Sequence, residues 1–339
     1  MKHLFHVASH LHFFLAHRII NCWGLGADNC VLLLTRGYRI PEPFDSTYQH
    51  QIPTQYNVTP TQGRIFCGWR ILKTRRNRIA FDRLLDAELQ QDDFLWYTPV
   101  CNNDICSLVV TKPHCKGYYV TEDGVNAYRT FNPQSFTGWS YWIYLLILKP
   151  IYPRFFAVKN HLITTDHPKF KGCVAIDQRC FPLHQQYLKT VGSPWIKEEL
   201  TPAPDAILSI DPLFMREERD TIVQVYQRLA AIFRDKGYNT VGYKYHPVFD
   251  AADNKAERDR IEALIQSLFK ELKMTLLPKA SVLENLLYTY HADFYSDSSS
   301  VGIYAALNGS KVYSYYPLLH NFDLKHQVPF FTEYAEPIA

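Results

Sequence analysis

The feature that most constrains the fold is the alternation of strand-like and helix-like segments between residues 206 and 315. Short β-type runs at 206–210, 240–245 and 292–295 are typical of strands. Between them, residues 216–236 and 253–272 carry apolar side chains at helical spacing. Strands that alternate with helices pair in parallel, because each helix returns the chain to the same edge of the sheet. The sequence therefore predicts a doubly wound parallel α/β unit.

The N-terminal part shows the same alternation less regularly. Prolines and charges in residues 187–205 are typical of a linker. We therefore expect an α/β protein of two Rossmann-like domains, residues 1–200 and 201–339, that face each other across a cleft. The strands predicted in the first domain are 4–8, 30–34, 64–69, 94–97, 108–111, 117–121 and 172–176, and residues 38–63 are predicted to form a long loop.

Composition narrows the class of protein. Hydrophobic residues make up 47% and charged residues 20% of the 339, which is enough to bury a core. A net charge of +3 is too small to favour a nucleic-acid partner. The eight cysteines form no CxxC pair, so we expect reduced thiols in the cytoplasm and no zinc site.

Membrane association is an open alternative at one place in the sequence. No run of about 18 apolar residues exists, so no membrane span is expected. The aromatic segment 139–156 carries Lys149 and Arg154 and could touch the inner face of the cytoplasmic membrane, where lipid-linked acceptors reside. Burial in the core is the other interpretation of this segment.

Three polar groups follow predicted strands or open a helix. They are Glu122-Asp123-Gly124, His246-Pro247 and Ser298-Ser299-Ser300. A carboxylate at a strand end can act as a general base, although Asp-Gly is also an ordinary turn. Serines at a helix start are ordinary caps, but the same geometry presents hydroxyls and free N–H groups to a phosphate. A histidine beside a phosphate gains stabilisation of its charged form.

In this order, the three groups resemble the motifs of the bacterial GT-B-type sialyltransferases. The resemblance covers about half of the chain, residues 117–305, and includes Lys244 and Tyr245 before His246 and the segment 281–284. The opening Val7-Ala8-Ser9-His10 is similar to the lipooligosaccharide branch of that family. The fold that the resemblance implies is GT-B, with an N-terminal acceptor domain that carries the base and a C-terminal CMP-sugar domain.

The resemblance also implies roles for single residues in catalysis. Asp123 would deprotonate the acceptor hydroxyl, and Glu122 would support it or replace it as the base. His246 would hold the CMP phosphate, either as a general acid or as a purely electrostatic stabiliser.

Further residues would bind the CMP-sugar. Ser298, Ser299 and Ser300 would bind the same phosphate, with Ser299 and Ser300 favoured. Glu284 would take the ribose hydroxyls. Pro247 and Lys244 would line the nucleotide pocket, although a solvent-facing lysine is an equal alternative for Lys244.

The implied reaction is a single inverting displacement from CMP-sialic acid to a hydroxyl of lipopolysaccharide, O-antigen or capsule glycan. CMP carries one phosphate, so histidine, serines and a helix end can balance its charge without a metal or other cofactor. Three alternatives stay open: another CMP-activated acid sugar (Kdo, legionaminic or pseudaminic acid), an inactive GT-B-fold glycan-binding protein, and a phosphate-ester hydrolase that uses His246.

Overall fold

The structure is a computed structural model that describes residues 1–54, 68–99, 104–129, 167–212, 218–250, 252–319 and 331–338. The chain divides into two compact units, Met1–Pro194 and Trp195–Ala339. Each unit is built on one parallel sheet with helices between its strands.

Unit 1 contains, within the described residues, a seven-stranded parallel sheet of order β3-β2-β1-β4-β5-β6-β7. Its central strands are almost fully buried, as apolar runs in a parallel sheet require. The strands are β1 (Lys2–Val7), β2 (Cys30–Leu34), β3 (Gln51–Pro53), β4 (Phe94–Thr98), β5 (Cys115–Thr121), β6 (Phe170–Ala175) and β7 (Leu188–Thr190). The helices are α1 (His10–Cys22), α2 (Glu42–Asp45), α3 (Gly68–Leu89) and α4 (Asp104–Val110).

Unit 2 has a six-stranded parallel sheet of order β10-β9-β8-β11-β12-β13 among the residues that the structure describes. The strands are β8 (Ala206–Ile210), β9 (Thr240–Tyr245), β10 (Lys273–Leu276), β11 (Asp293–Ser296), β12 (Val312–Ser314) and β13 (Glu336–Pro337). The helices are α5 (Arg219–Asp235), α6 (Lys255–Leu268), α7 (Leu283–Tyr290), α8 (Ser300–Leu307) and α9 (Phe331–Tyr334).

The core of unit 2 follows from the pattern of α5. Its apolar residues recur three and four positions apart, so they form one stripe along the helix. Ile222, Leu229 and Phe233 on this stripe are fully buried, and Phe233 packs edge-on against Tyr295 of β11 at a centroid distance of 4.7 Å. This packing covers one face of the sheet. It does not involve the ends of the strands, where polar residues can lie.

Both sheets confirm the predicted α/β fold with two Rossmann-like units. In each, the chain builds three strands outward from the centre and then continues on the other side of the first strand. The order reverses between β1 and β4 in unit 1 and between β8 and β11 in unit 2. In doubly wound sheets, ligands bind at the carboxyl ends of the strands at such a reversal.

Three local predictions were wrong in the described residues. Residues 108–111 were predicted as a strand, but most of them belong to helix α4. The predicted loop 38–63 contains α2 and β3. Of the predicted strand 64–69, residues 64–67 lie outside the described residues and the rest begin α3. The aromatic segment 139–156 also lies outside the described residues.

Candidate functional site

Four parallel strands of unit 2 bring the residues predicted to bind the nucleotide to one edge of the sheet. His246 follows β9, Ser298–Ser300 follow β11, and Glu284 lies in the first turn of α7 after β10. Strand β8 runs between β9 and β11. Because all these strands are parallel, their carboxyl ends share one edge.

His246 is anchored by its backbone and by one nitrogen of its ring. Its N–H donates to the carbonyl oxygen of Ile210 at 2.9 Å, and its Nδ1 accepts from the N–H of Val248 at 3.2 Å. In the neutral ring, the hydrogen therefore sits on Nε2. Partial burial of the ring lowers the pKa of His246 below its ordinary value, and the charge of Asp211 opposes this shift. His246 and Pro247 keep exposed surface, so Nε2–H is a hydrogen-bond donor within reach of a ligand.

The serine triplet opens helix α8, as predicted. Ser299 is the N-cap, and its hydroxyl accepts from the N–H of Val301 at 3.3 Å. All three serines are half-buried. The free N–H groups and the positive end of the helix dipole make this turn able to hold an anion.

The carboxyl group of Glu284 has a pKa near neutral pH. Burial raises the pKa of Glu284 to about 7, although its own backbone N–H and the charge of Lys244 act in the opposite direction. Glu198 adds to the upward shift of this pKa. Sequence reasoning missed Glu198, whose carboxylate accepts from the N–H of Val282 at 3.1 Å and so supports the start of α7.

Lys244 supports the loop before α7. Its Nζ donates to the carbonyl oxygens of Pro278 and Lys279, each at 3.0 Å, and to that of Ser281. The ammonium group is thereby committed to three backbone acceptors. Lys244 therefore holds the loop that leads into α7, the helix that carries Glu284.

Glu122 of unit 1 is a structural carboxylate. It has no exposed surface, and its oxygens accept from the hydroxyl of Tyr128 and from the N–H of Ile176, both at 2.8 Å. These bonds join the end of β5 to the end of β6. Of the two acidic residues in the motif, the geometry therefore favours Asp123 as the one that can meet a substrate.

Asp123 is held by a histidine that sequence reasoning missed. Its Oδ1 lies 3.0 Å from Nε2 of the buried His12, and its side chain keeps 32% exposure. The N–H of Ala8 donates to Nδ1 of His12 at 3.3 Å, so Nε2 carries the hydrogen that reaches Asp123. This contact joins residues 111 positions apart, which no local pattern could reveal.

The environment of Asp123 keeps it ionised. Burial raises the pKa of Asp123, but hydrogen bonds from His12 and Asn126 and the charges of His12 and Arg36 outweigh it, and the net pKa lies below the ordinary value. Ser9 and His10, at the end of β1, have local partners. Ser9 caps α1, and His10 lies 3.1 Å from the hydroxyl of Tyr38.

No protein-family model matches the chain, and no curated protein sequence does. Solved structures are similar to it in fold. A protein from Listeria monocytogenes assigned as a UDP-N-acetylglucosamine 2-epimerase has a TM-score of 0.56 at 10% identity, over 93% of this chain and 79% of that one.

Two further structures have the same architecture. The UDP-GlcNAc 2-epimerase of Methanocaldococcus jannaschii, solved with UDP-GlcNAc and UDP, has a TM-score of 0.53 at 10% identity and covers 100% of this chain and 89% of that one. The calicheamicin glycosyltransferase CalG4 has a TM-score of 0.50 at 9% identity and covers 100% and 85%. With the two parallel sheets, these similarities show that the fold is of the GT-B type.

No helix in the described part of the chain is both long and apolar enough to span a bilayer.

The structural assignment of Glu122 leads to a direct prediction. We expect Glu122→Gln to lower the free energy of unfolding by about 1–3 kcal/mol, because an amide has one acceptor oxygen where the carboxylate has two, and the buried hydrogen bonds to a charged acceptor are lost. Chemical denaturation measures this loss. Glu42→Gln, at an exposed position of the same unit, is the control and should unfold like the wild type. A Glu122→Gln protein as stable as the wild type would show that the assignment is wrong.

Proposed function

We propose that this protein is an inverting glycosyltransferase that moves sialic acid from CMP-sialic acid to a hydroxyl group of a bacterial surface glycan. The observation that carries the proposal is the set of residues at the carboxyl edge of unit 2. There, a serine-capped helix start, the donor His246 and the carboxyl of Glu284 follow the parallel strands β11, β9 and β10 of one sheet.

This edge suits a nucleotide with one phosphate. The N-terminus of α8 supplies N–H groups and a partial positive charge to the phosphate, and His246 adds a hydrogen bond through Nε2. Glu284 can accept hydrogen bonds from the ribose hydroxyls. A structural neighbour of the same fold was solved with UDP-GlcNAc and UDP, which supports a nucleotide-sugar donor for this chain as well.

Asp123 is the proposed general base. Its lowered pKa keeps it ionised at neutral pH, in the form that accepts a proton. His12 fixes one oxygen of the carboxylate and therefore its orientation. As the acceptor oxygen bonds to the anomeric carbon, the hydroxyl proton passes to Asp123 and CMP leaves. His246 and the start of α8 stabilise the charge that develops on the phosphate.

The choice of CMP-sialic acid rests on the resemblance of the three motifs to sialyltransferases. Kdo, legionaminic and pseudaminic acids are also carried by CMP, so the same phosphate and ribose contacts serve them. The thiols of Cys22, Cys30, Cys115, Cys173 and Cys180 form no disulfide, which fits a reducing compartment such as the cytoplasm.

The proposal is tested by nucleotide release from CMP-Neu5Ac, CMP-Kdo, CMP-legionaminic acid, CMP-pseudaminic acid and UDP-GlcNAc. Each donor is incubated with and without glycan acceptors, in the presence and absence of EDTA. We expect acceptor-dependent release of CMP that EDTA does not change. A preference for UDP-GlcNAc would contradict the choice of donor. Glycan binding without any turnover would favour the non-catalytic alternative.

Within this assay, Asp123→Asn tests the base. We expect kcat to fall by about 10²–10⁴-fold, the usual contribution of a general base, with unchanged affinity for CMP. Asp28→Asn, at an exposed position of the same unit, is the matched control and should leave kcat unchanged. Full transfer activity in Asp123→Asn would assign the base elsewhere.

The pKa of Glu284 predicts the pH dependence of nucleotide binding. An ionised carboxylate accepts hydrogen bonds from ribose hydroxyls more strongly than a protonated one. Since the pKa of Glu284 is about 7, the affinity for CMP should increase between pH 6 and pH 8 relative to the affinity of Glu284→Gln, in which the other titrating groups are unchanged. Calorimetry on both proteins measures this difference. A rise of equal size in Glu284→Gln would assign the pH dependence to another group.

A further inference from the structure

Two buried aspartates lie under the carboxyl edge of unit 2. Asp211 follows β8 and Asp297 follows β11, and each is 4% exposed. The two strands are neighbours at the point where the strand order reverses. Two carboxyl groups buried side by side cannot both ionise without a large cost, so the environment decides which one carries a proton.

Asp211 is the acceptor of this pair. Its Oδ1 accepts from the hydroxyl of Ser209 at 3.1 Å, and its Oδ2 accepts from the N–H of Asp297 at 3.3 Å. The hydroxyl of Tyr315 shares its hydrogen between the carbonyl oxygen of Ser209 at 2.8 Å and Oδ2 of Asp211 at 3.2 Å. Acceptance from every side is the pattern of an ionised carboxylate.

Asp297 is the protonated member. Burial, and then the charge of Asp211, raise the pKa of Asp297 well above its ordinary value. A proton held between the two carboxyl groups leaves the pair with a single negative charge. The pair is therefore a fixed monoanion at neutral pH.

The pair lies beside both parts of the proposed phosphate site. Ile210 is paired with Tyr245, so Asp211 and His246 are the next residues on adjacent strands, and the N–H of His246 donates to Ile210. On the other side, Asp297 directly precedes the serine triplet, and its carboxyl group accepts from the N–H of Ser298.

We propose that Asp211 is a positioning residue for His246, and that Asp297, by sharing its proton, limits the pair to one negative charge and fixes the turn that opens α8. The phosphate-binding part of this inference rests on the proposed function. The electrostatic link between Asp211 and His246 does not depend on it.

The charge of Asp211 acts on the pKa of four groups in the described part of the chain. They are Tyr226 of α5, Tyr315 after β12, Asp297 and His246. Burial and the charge of Asp211 raise the pKa of both tyrosines, so they stay neutral. From α6, Glu257, Glu262 and Arg260 act on Tyr226. Of the four groups, His246 is the one whose charge can change near neutral pH.

The test is an NMR titration of the His246 ring in the full-length protein, with its signal assigned by His246→Gln. We expect Asp211→Asn to lower the midpoint of His246 by roughly 0.5–1 pH unit, because the single negative charge of the pair then moves to Asp297, one strand farther from the partly exposed ring. Asp297→Asn is the matched control. It replaces the protonated partner by a neutral side chain of the same shape and should leave the midpoint unchanged.

Equal downward shifts in both variants, or no shift in Asp211→Asn, would overturn the proposal. A second measurement does not depend on the folding of Asp211→Asn. Carboxyl ¹³C NMR of the wild type, assigned with Asp297→Asn, should show one protonated carboxyl group in the pair at pH 7. Two ionised carboxyl groups would overturn the proposal as well.

CMP binding separates this inference from the proposed function. The protonated ring binds an anion more strongly than the neutral ring. Above both midpoints, a midpoint lowered by 0.5–1 pH unit means about three- to tenfold less protonated His246, so we expect the CMP affinity of Asp211→Asn to fall by up to this factor. If Asp211→Asn shifts the midpoint of His246 but the wild type does not bind CMP, the proposed function is refuted and the electrostatic link stays intact. CMP affinity unchanged by Asp211→Asn, despite the shift, would refute the role of the link in phosphate binding.

Discussion

The parallel pairing of β8 with β9 on one side and β11 on the other is the interaction on which the candidate site depends. It sets the ends of three strands side by side, so that His246 and Ser299, which are far apart in sequence, follow the two strands on either side of β8. The buried side chains of these strands fix their register, since a slip of one residue would disrupt close packing on both faces of the sheet. Hydrophobic packing thus determines where the polar residues of the edge lie.

Glu122 and Asp123 are adjacent in one motif but have different roles, because their surroundings differ. Glu122 faces the interior and has both oxygens bonded, whereas Asp123 keeps part of its surface and one bond from His12. The same logic separates Asp211 from Asp297, where shared burial forces one carboxyl group to keep its proton. In both places, the charge state follows from hydrogen bonds and burial.

The sequence predicted the fold class and the strands that are continuous apolar runs. Residues 30–34, 206–210 and 240–245 were assigned with the bounds that the structure has. The prediction of a strand at 108–111 was wrong, because a short run of three apolar residues and a threonine suits a helix and a strand equally well. The three-residue strand β3 is too short to give an alternating pattern.

Of the candidate site, the sequence could supply strand-end residues and the cap Ser299. It could not supply His12 or the pairing of Asp211 with Asp297, because these contacts join residues that are 111 and 86 positions apart. Nor could it predict that Lys244 is committed to three carbonyl groups, because the folding of the loop at 278–281 creates those acceptors.

The central claim is that the carboxyl edge of unit 2 binds a cytidine nucleotide through its single phosphate. A crystal structure grown with saturating CMP tests it most directly. We predict that the phosphate lies within hydrogen-bond distance of Ser299 or the first N–H groups of α8 and of Nε2 of His246, with the ribose hydroxyls at Glu284. A CMP molecule bound away from this edge, or no nucleotide at all, would contradict the account.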